Sequence, residues 1–557
     1  MYTATSSLNI LGKEQFELKL SFVLISLLLL VILGWPLYSI LGQSFFTDEG
    51  SFTLMNYAEA FSKKSFYTAL GHSLTVSGCV AFFATIIAFF AAYGLNFCAF
   101  RPRTRSLIQI VLLLPLFLPS ITYGFAVIYS FGRQGLVTQI FGRLPFSIYG
   151  FNGLLIAGVI YTLPPAFMIM NNAFAYVDRN FITVSKVMGD SPLRTFYQTA
   201  LRPVLGSAAA AFILSFFLIF TDFGIPTSIA GRYEVIATQL YAVMMGAIPD
   251  FHNGSVIAMV MLLPSILSVI ILRQCERLNF RYNKLSKTPP APQILRDYSF
   301  AAFYLLLTLL LLSVFAIIFI VPFVQSWPYQ PVFTLDTIKR VFAENDITGT
   351  YLNSLYVAVL TAVLGTALCY LAGMVNARSH LAPWCRTLMD VFAMVTNTVP
   401  GMVLGVGFLF AFTGSPITNT FAILVLANIV HFFTTPYLMA QQAFSRMNAG
   451  FETTGALMGD TWSETLRRVV IPNTFSTILQ MLSYFFVNAM VTISAIVFLA
   501  GARTQVMTSK IKELQYFEKF DAIFTLSLLI FLTNCAVKLL LDFWAESRAR
   551  RLKAQQD

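Results

Sequence analysis

The sequence predicts an all-α polytopic membrane protein of about twelve transmembrane helices, arranged as two parallel six-helix repeats. Three observations predict it. Of 557 residues, 57% are hydrophobic and only 11% are charged, whereas a soluble domain has about 25% charged residues. Twelve runs are apolar and long enough to cross a bilayer, which takes about 20 residues of helix. One Met-Gly-Asp turn also occurs twice, in "SKVMGDSPLRTF" at 185–196 and in "GALMGDTWSETL" at 455–466.

The twelve runs lie near 20–43, 74–98, 107–130, 152–175, 204–222, 254–274, 300–325, 354–377, 387–412, 419–442, 473–496 and 522–543. The uncharged stretch of the first, Leu20 to Gly42, is too long for a signal h-region and has no obvious cleavage site after it, so it is expected to stay. Polar residues interrupt 204–222 and 473–496. The six cysteines form no C-x-x-C pair and no zinc spacing, and read as reduced packing residues. Four scattered histidines suggest no metal site.

Orientation follows from Lys and Arg. With both ends in the cytoplasm, 25 of the 36 face inward and 11 face outward. The inward set includes Arg101, Arg103, Arg105, the stretch "RQCERLNFRYNK" and the tail "RARRLK". The positive-inside rule selects this arrangement. The net charge of +11 then implies anionic membrane lipid as a partner and needs no nucleic acid. The expected location is a bacterial inner (cytoplasmic) membrane, multi-pass, with both termini cytoplasmic.

The halves align. At an offset of 281, "HSL" at 72–74 meets "NSL" at 353–355, Arg105 meets Arg386, Pro119 meets Pro400 and Gly124 meets Gly405. Further on the offset falls to 270, where "NNAF" meets "QQAF" and the two Met-Gly-Asp turns coincide. Six spans per half keep the same orientation, so the repeat is parallel, with a pseudo-two-fold axis along the membrane normal. The expected domains are a first repeat at 1–275, a basic, proline-bearing cytoplasmic linker at 276–298, and a second repeat at 299–557.

Both Met-Gly-Asp turns fall in cytoplasmic loops between the fourth and fifth spans of their halves. In the first, Phe181, Val184, Val187 and Met188 recur at helical spacing. Ser191 suits an N-cap, Pro192 suits the first helical position, and Leu193, Phe196, Tyr197 and Leu201 make a stripe. In the second, Thr461 and Glu464 form a capping box, with a stripe of Trp462, Leu466, Val469 and Val470. Each loop is therefore helix, glycine turn, helix. Two helices packed on the protein's own surface would fit, but duplication of this one loop favours a docking surface.

Polar groups at membrane depth are costly and tend to face a cavity. The candidates for a substrate path are Tyr123, Tyr161, Thr221, Asp222, Asn397, Thr398, Asn488, Thr492 and Ser494, with Pro119 and Pro400 breaking matched helices. Interhelical hydrogen bonding is the alternative reading of each. Asp222 either lies hydrated at the outer interface or meets a cationic part of the substrate.

The duplicated loops resemble the cytoplasmic loop of binding-protein-dependent ABC importer permeases, whose pattern is roughly E-A-A-x3-G-x9-I-x-L-P. Gly459, Val469, Ile471 and Pro472 fit it in the second copy, and Gly189 in the first, with Pro203 one residue late. Thr183-Val184-Ser185 and Thr453-Thr454-Gly455 replace the E-A-A triplet. The resemblance spans nearly the whole chain and implies a type I ABC importer permease fold. It implies docking of two copies of a cytoplasmic ABC ATPase on Met188, Gly189, Asp190, Leu193, Arg194, Met458, Gly459, Asp460, Trp462 and Arg467, with Arg468 a further cation for pairing. It also implies delivery by a periplasmic substrate-binding protein.

The chain has no G-x-x-x-x-G-K-[ST] loop. It is therefore expected to be no enzyme and to bind no cofactor, with ATP and Mg held on the partner subunits. Fused double permeases resemble the 2-aminoethylphosphonate, ferric-iron and thiamine branch. The stretch "PSITYGFAVIYSFGRQGLVTQIFG" at 119–142 looks most like the phosphonate members, so 2-aminoethylphosphonate is the favoured substrate and ferric iron or thiamine the alternative. A secondary transporter with parallel repeats is the alternative class, but few intramembrane ionisable groups are present to couple an ion.

Overall fold

In a bilayer a backbone must bond to itself, and apolar runs do so as helix. A computed structural model describes residues 19–142, 145–178, 180–276, 292–344, 346–378, 381–448, 450–458 and 462–554. Among them, nine helices are long and apolar enough to cross a membrane, and three bent pairs bring the number to twelve if each pair is one span. These match the twelve runs in the sequence.

In chain order the first repeat holds α1 (Lys19–Phe45) and α2 (Lys64–Phe97), then the bent pair α3 (Pro102–Phe117) and α4 (Ser120–Phe131). Next come α5 (Phe151–Ala175), the short α6 (Asn180–Val187), α7 (Pro192–Phe220), the short α8 (Gly224–Ile229) and α9 (Phe251–Leu272). The second repeat opens with α10 (Ile294–Phe323) and α11 (Ile347–Arg378), then the bent pair α12 (Pro383–Thr398) and α13 (Gly401–Phe412). A second bent pair follows, α14 (Phe421–His431) and α15 (Thr434–Arg446), before α16 (Gly450–Leu457), α17 (Leu466–Val491) and α18 (Phe520–Arg548). One small antiparallel hairpin, β1 (Val324–Ser326) and β2 (Gln330–Phe333), departs from the all-α pattern. Most of the expected linker, 277–291, lies outside the described residues.

Prolines set the irregularities. Pro119 and Pro400 stand at bends of 111° and 107°. A proline forces the residue before it out of the helical region, and Leu118 and Val399 are both extended. Pro436 lacks an N–H for the carbonyl of Phe432 and its ring crowds that carbonyl. The 57° break between α14 and α15 falls at Phe432 and Phe433. Three widened turns of π type, at Leu30–Gly34, Tyr197–Leu201 and Leu466–Val470, each end two residues before a proline: Pro36, Pro203 and Pro472.

The described chain packs as two units that cut across the repeats. One comprises Ser51–Asn345 and Ile511–Leu528; the other comprises Met1–Gly50, Asp346–Lys510 and Leu529–Asp557. Thus α1 packs with the second repeat: the Trp35 indole donates to Ala411 O at 3.1 Å, and Gly407 leaves room for the Pro36 backbone. Likewise α10 packs with the first repeat, where Tyr304 donates to Ala91 O and Ser130 donates to Ser313 O at 3.0 Å.

The "HSL" and "NSL" motifs have matching duties in their own units. Ser73 Oγ accepts from Ile236 N (2.8 Å) and Ser354 Oγ accepts from Met507 N (2.7 Å). His72 Nδ1 lies 2.9 Å from Glu234 O, and Asn353 Nδ2 donates to Gln505 O at 3.1 Å.

Candidate functional site

The first loop is built around a left-handed turn. Helix α6 ends at Val187, and Gly189 takes φ +78°. A Cβ there would meet nothing within 4 Å. Its glycine is therefore required by backbone conformation and not by a clash. Ser191 caps the next helix, accepting from Arg194 N at 3.4 Å, with Pro192 at the first position.

A polar latch closes the turn. Ser185 Oγ donates to Asp190 Oδ2 at 2.7 Å and lies 3.0 Å from Thr195 Oγ1. Arg194 Nε pairs with Asp190 Oδ1 at 3.0 Å. The carboxylate is thereby turned inward: the Asp190 side chain is 19% exposed and that of Arg194 69%. Beside Arg194, three large apolar side chains face outward: Val187 at 83%, Met188 at 77% and Leu193 at 83%. Beneath them a 320 Å³ groove is lined by residues including Phe181, Val184, Gln198 and Arg202.

Leu193 and Tyr197 are exposed, while Phe196 packs inward, 6.0 Å from the Phe89 ring and 5.7 Å from Tyr93. Phe174 joins the same aromatic cluster at 5.3 Å from Phe89. This cluster fastens the loop to α2 and α5.

In the second loop, Met458 is exposed after α16. Gly459, Asp460 and the capping residue Thr461 lie outside the described residues, as does the side chain of Trp462, where helix resumes. Arg467 and Arg468 are exposed. Here the Ser185–Thr195 bond has a steric counterpart: a Cβ on Gly455 would stand 2.5 Å from Thr465 Oγ1. The loops thus close similarly by different means. Ser185 and Thr195 carry no signature of their own; comparing the copies, Ser–Thr against Gly–Thr ten residues apart, would have singled them out.

The path candidates divide. Several turn their polar atoms back on their own helices: Thr221 donates to Phe217 O (2.9 Å), Thr398 to Val395 O (2.8 Å) and Asn488 to Tyr484 O (2.7 Å). Asn397 is exposed and Thr492 is buried. Others converge on the bends. Pro119 and Pro400 are the residues from which α4 and α13 start. Tyr123 is buried, with its hydroxyl on Pro115 O across the bend and its ring 6.1 Å from that of Tyr161. Asp222 is buried too, and its Oδ2 accepts from Ile225 N at 2.8 Å, with Ser120 and Gly224 beside it. It therefore caps α8 while touching the first residue of α4, where a carboxylate suits the helix dipoles.

The matched corner of the second repeat exchanges these residues. In the first, Gly224 abuts the Ser120 hydroxyl; in the second, a Cβ on Gly401 would stand 2.5 Å from Ser494 Oγ. Thr492 stands where the 270 offset puts Asp222, and His431, not singled out in the sequence, lies beside Gly401.

Duplicated broken spans and a duplicated Met-Gly-Asp sequence, in a multi-pass helical chain, point to a two-repeat transport permease. The family described as "Binding-protein-dependent transport system inner membrane component" matches twice, at residues 84–276 and 347–553, and the chain belongs to it. Its relatives include "Putative ferric transport system permease protein FbpB 1" of Haemophilus influenzae, 27% identical over 530 residues that cover 91% of this chain and 82% of that one. "Ferric transport system permease protein FbpB" of Actinobacillus pleuropneumoniae is 25% identical over 513 residues, covering 88% and 73%. "Molybdenum transport system permease protein ModB" of Azotobacter vinelandii is 29% identical over 150 residues, covering 25% of this chain and 65% of that one.

Proposed function

We propose that this chain is the permease through which an ABC importer passes ferric iron into the cytoplasm. The observation that carries the substrate is that relatives spanning both repeats are named for ferric transport. The favoured phosphonate reading gives way to the ferric alternative. The stretch 119–142 behind it is half of a bent pair: Gly124 in it lies against Ser228 of α8, so its residues answer to packing. The carboxylate offered to a phosphonate's ammonium, Asp222, is buried and engaged by the Ile225 N–H.

Two cytoplasmic ATPase subunits dock on the two glycine-turn loops, and the exposed Val187, Met188, Leu193 and Arg194 support this for the first. ATP and Mg belong to those subunits. A periplasmic binding protein delivers the iron, and both termini lie in the cytoplasm, as the Lys and Arg bias supports.

The test is reconstitution of the permease with its ATPase in nanodiscs and addition of loaded binding proteins. ATP hydrolysis should rise with the ferric-loaded protein and not with a phosphonate-loaded one. The reverse result would restore the phosphonate, and no response to any loaded protein would refute the importer reading.

A further inference from the structure

The two loops are fastened to their membrane helices by partly different chemistry. The first uses the aromatic cluster around Phe196, with one amide pair between α2 and α5, Asn96 Nδ2 to Asn171 Oδ1 at 2.9 Å. The second keeps a ring pair, Tyr370 with Phe444 at 4.9 Å, and adds a carboxylate. Asp390 Oδ1, on α12, accepts from Tyr437 Oη (2.7 Å) and Gln441 Nε2 (3.3 Å) on α15 and from Asn376 Nδ2 (2.8 Å) on α11. Asn376 Nδ2 also donates to Tyr437 Oη. At the matched places the first repeat has Gln109, Leu95, Phe167 and Asn171, with no carboxylate among them.

Consider what these three helices connect. α15 runs directly into the loop: the Arg378 guanidinium at the end of α11 holds the last carbonyls before it, Met447 O (3.3 Å) and Asn448 O (3.0 Å). α11 and α15 also meet backbone to backbone, since a Cβ on Gly373 would stand 2.7 Å from Ala440 Cβ and 2.9 Å from Gln441 N. α12 leads the other way, through the 107° bend at Pro400 into α13. Besides Asp390, α12 and α15 share a bond one turn away, where Thr434 Oγ1 donates to Ala393 O at 2.7 Å. Three donors on one charged oxygen make a joint stronger and more directional than neutral bonds, and a half-buried network around it favours one arrangement.

We infer that Asp390 is a positioning residue for transport: it transmits movement of the second ATPase-facing loop, through α15, to α12 and so to the broken span. This rests on the importer reading above. It also makes the two loops unequal, since only the second adds a carboxylate to its ring packing.

The experiment compares wild type, Asp390→Asn and Asp390→Ala in the full complex with ATPase and ferric-loaded binding protein, in proteoliposomes. It reads ATP hydrolysed per iron imported, with recovery of the complex and its melting temperature measured alongside. The Ala variant should raise the ratio about tenfold, within the usual range of coupling between sites. The Asn variant keeps one acceptor oxygen and should fall between. An unchanged ratio in both variants overturns the inference, including the case where uptake and hydrolysis fall together because the complex is unstable. A wild-type complex that shows no ATP-driven uptake overturns the importer reading and this inference with it, whereas an active wild type with an unchanged ratio in the variants overturns Asp390 alone.

Discussion

Gly189 offers the sharpest separation of two causes. Its φ of +78° lies in the left-handed region, and a Cβ there would touch nothing within 4 Å. A side chain therefore costs backbone energy and no packing energy. For an L-residue that is about 1–2 kcal/mol, which lowers the population of the docked turn roughly 5- to 30-fold. Asn visits this region far more readily than Ala or Val. ATPase affinity should therefore fall in the order Gly, Asn, Ala, Val, with Asn close to wild type although it is larger than Ala. The assay is titration of purified ATPase onto the permease in nanodiscs. If affinity instead fell with side-chain volume, so that Asn was worse than Ala, steric occlusion by the partner would be the cause and the conformational argument would fail.

Three further outcomes follow from the same geometry. Phe196→Ala opens the aromatic cluster that anchors the first loop, and should cost about 3 kcal/mol of local stability, read as earlier hydrogen exchange in 180–200 than in the membrane helices. Gly373→Ala puts a Cβ 2.7 Å from Ala440 Cβ and 2.9 Å from a backbone nitrogen; overpacking of this kind costs about 1–3 kcal/mol and should lower the melting temperature of the purified protein, while Gly42→Ala, in open space, should not. Tyr123→Phe leaves the Pro115 carbonyl unpaired at the bend, a loss of about 1–3 kcal/mol that thermal unfolding in detergent would register.

Much of the fold is legible because a bilayer writes its demands into composition. The twelve apolar runs appear as helix, and the matched prolines at 119 and 400 mark matched bends. The break at Phe432–Phe433 is harder to read. The first repeat carries Pro164 and Pro165 inside α5 and stays one helix, whereas Pro436 accompanies a 57° bend. The packing of α1 with the second repeat is not legible at all, since it depends on Gly407 meeting the Pro36 backbone, two residues far apart in sequence.

At the loops, helical spacing and a lone glycine point to the turn, and the exposure of Met188, Leu193 and Arg194 fits a docking face. The latch that shapes it, Ser185 with Asp190 and Thr195, is invisible to periodicity because its members look like ordinary solvated residues. Path residues are the least legible. A threonine hydroxyl that bonds back to its own helix, as at Thr221 and Thr398, is indistinguishable in sequence from one that faces a cavity.

The central claim is that one chain presents two ATPase-docking loops. Native mass spectrometry of the complex, purified after co-expression with a candidate ABC ATPase, tests it most directly. The account predicts one copy of this chain with two ATPase subunits, falling to one when Gly189 is replaced by Val. A complex holding a single ATPase per wild-type chain, or two that persist when both loops carry disruptive substitutions, would contradict it.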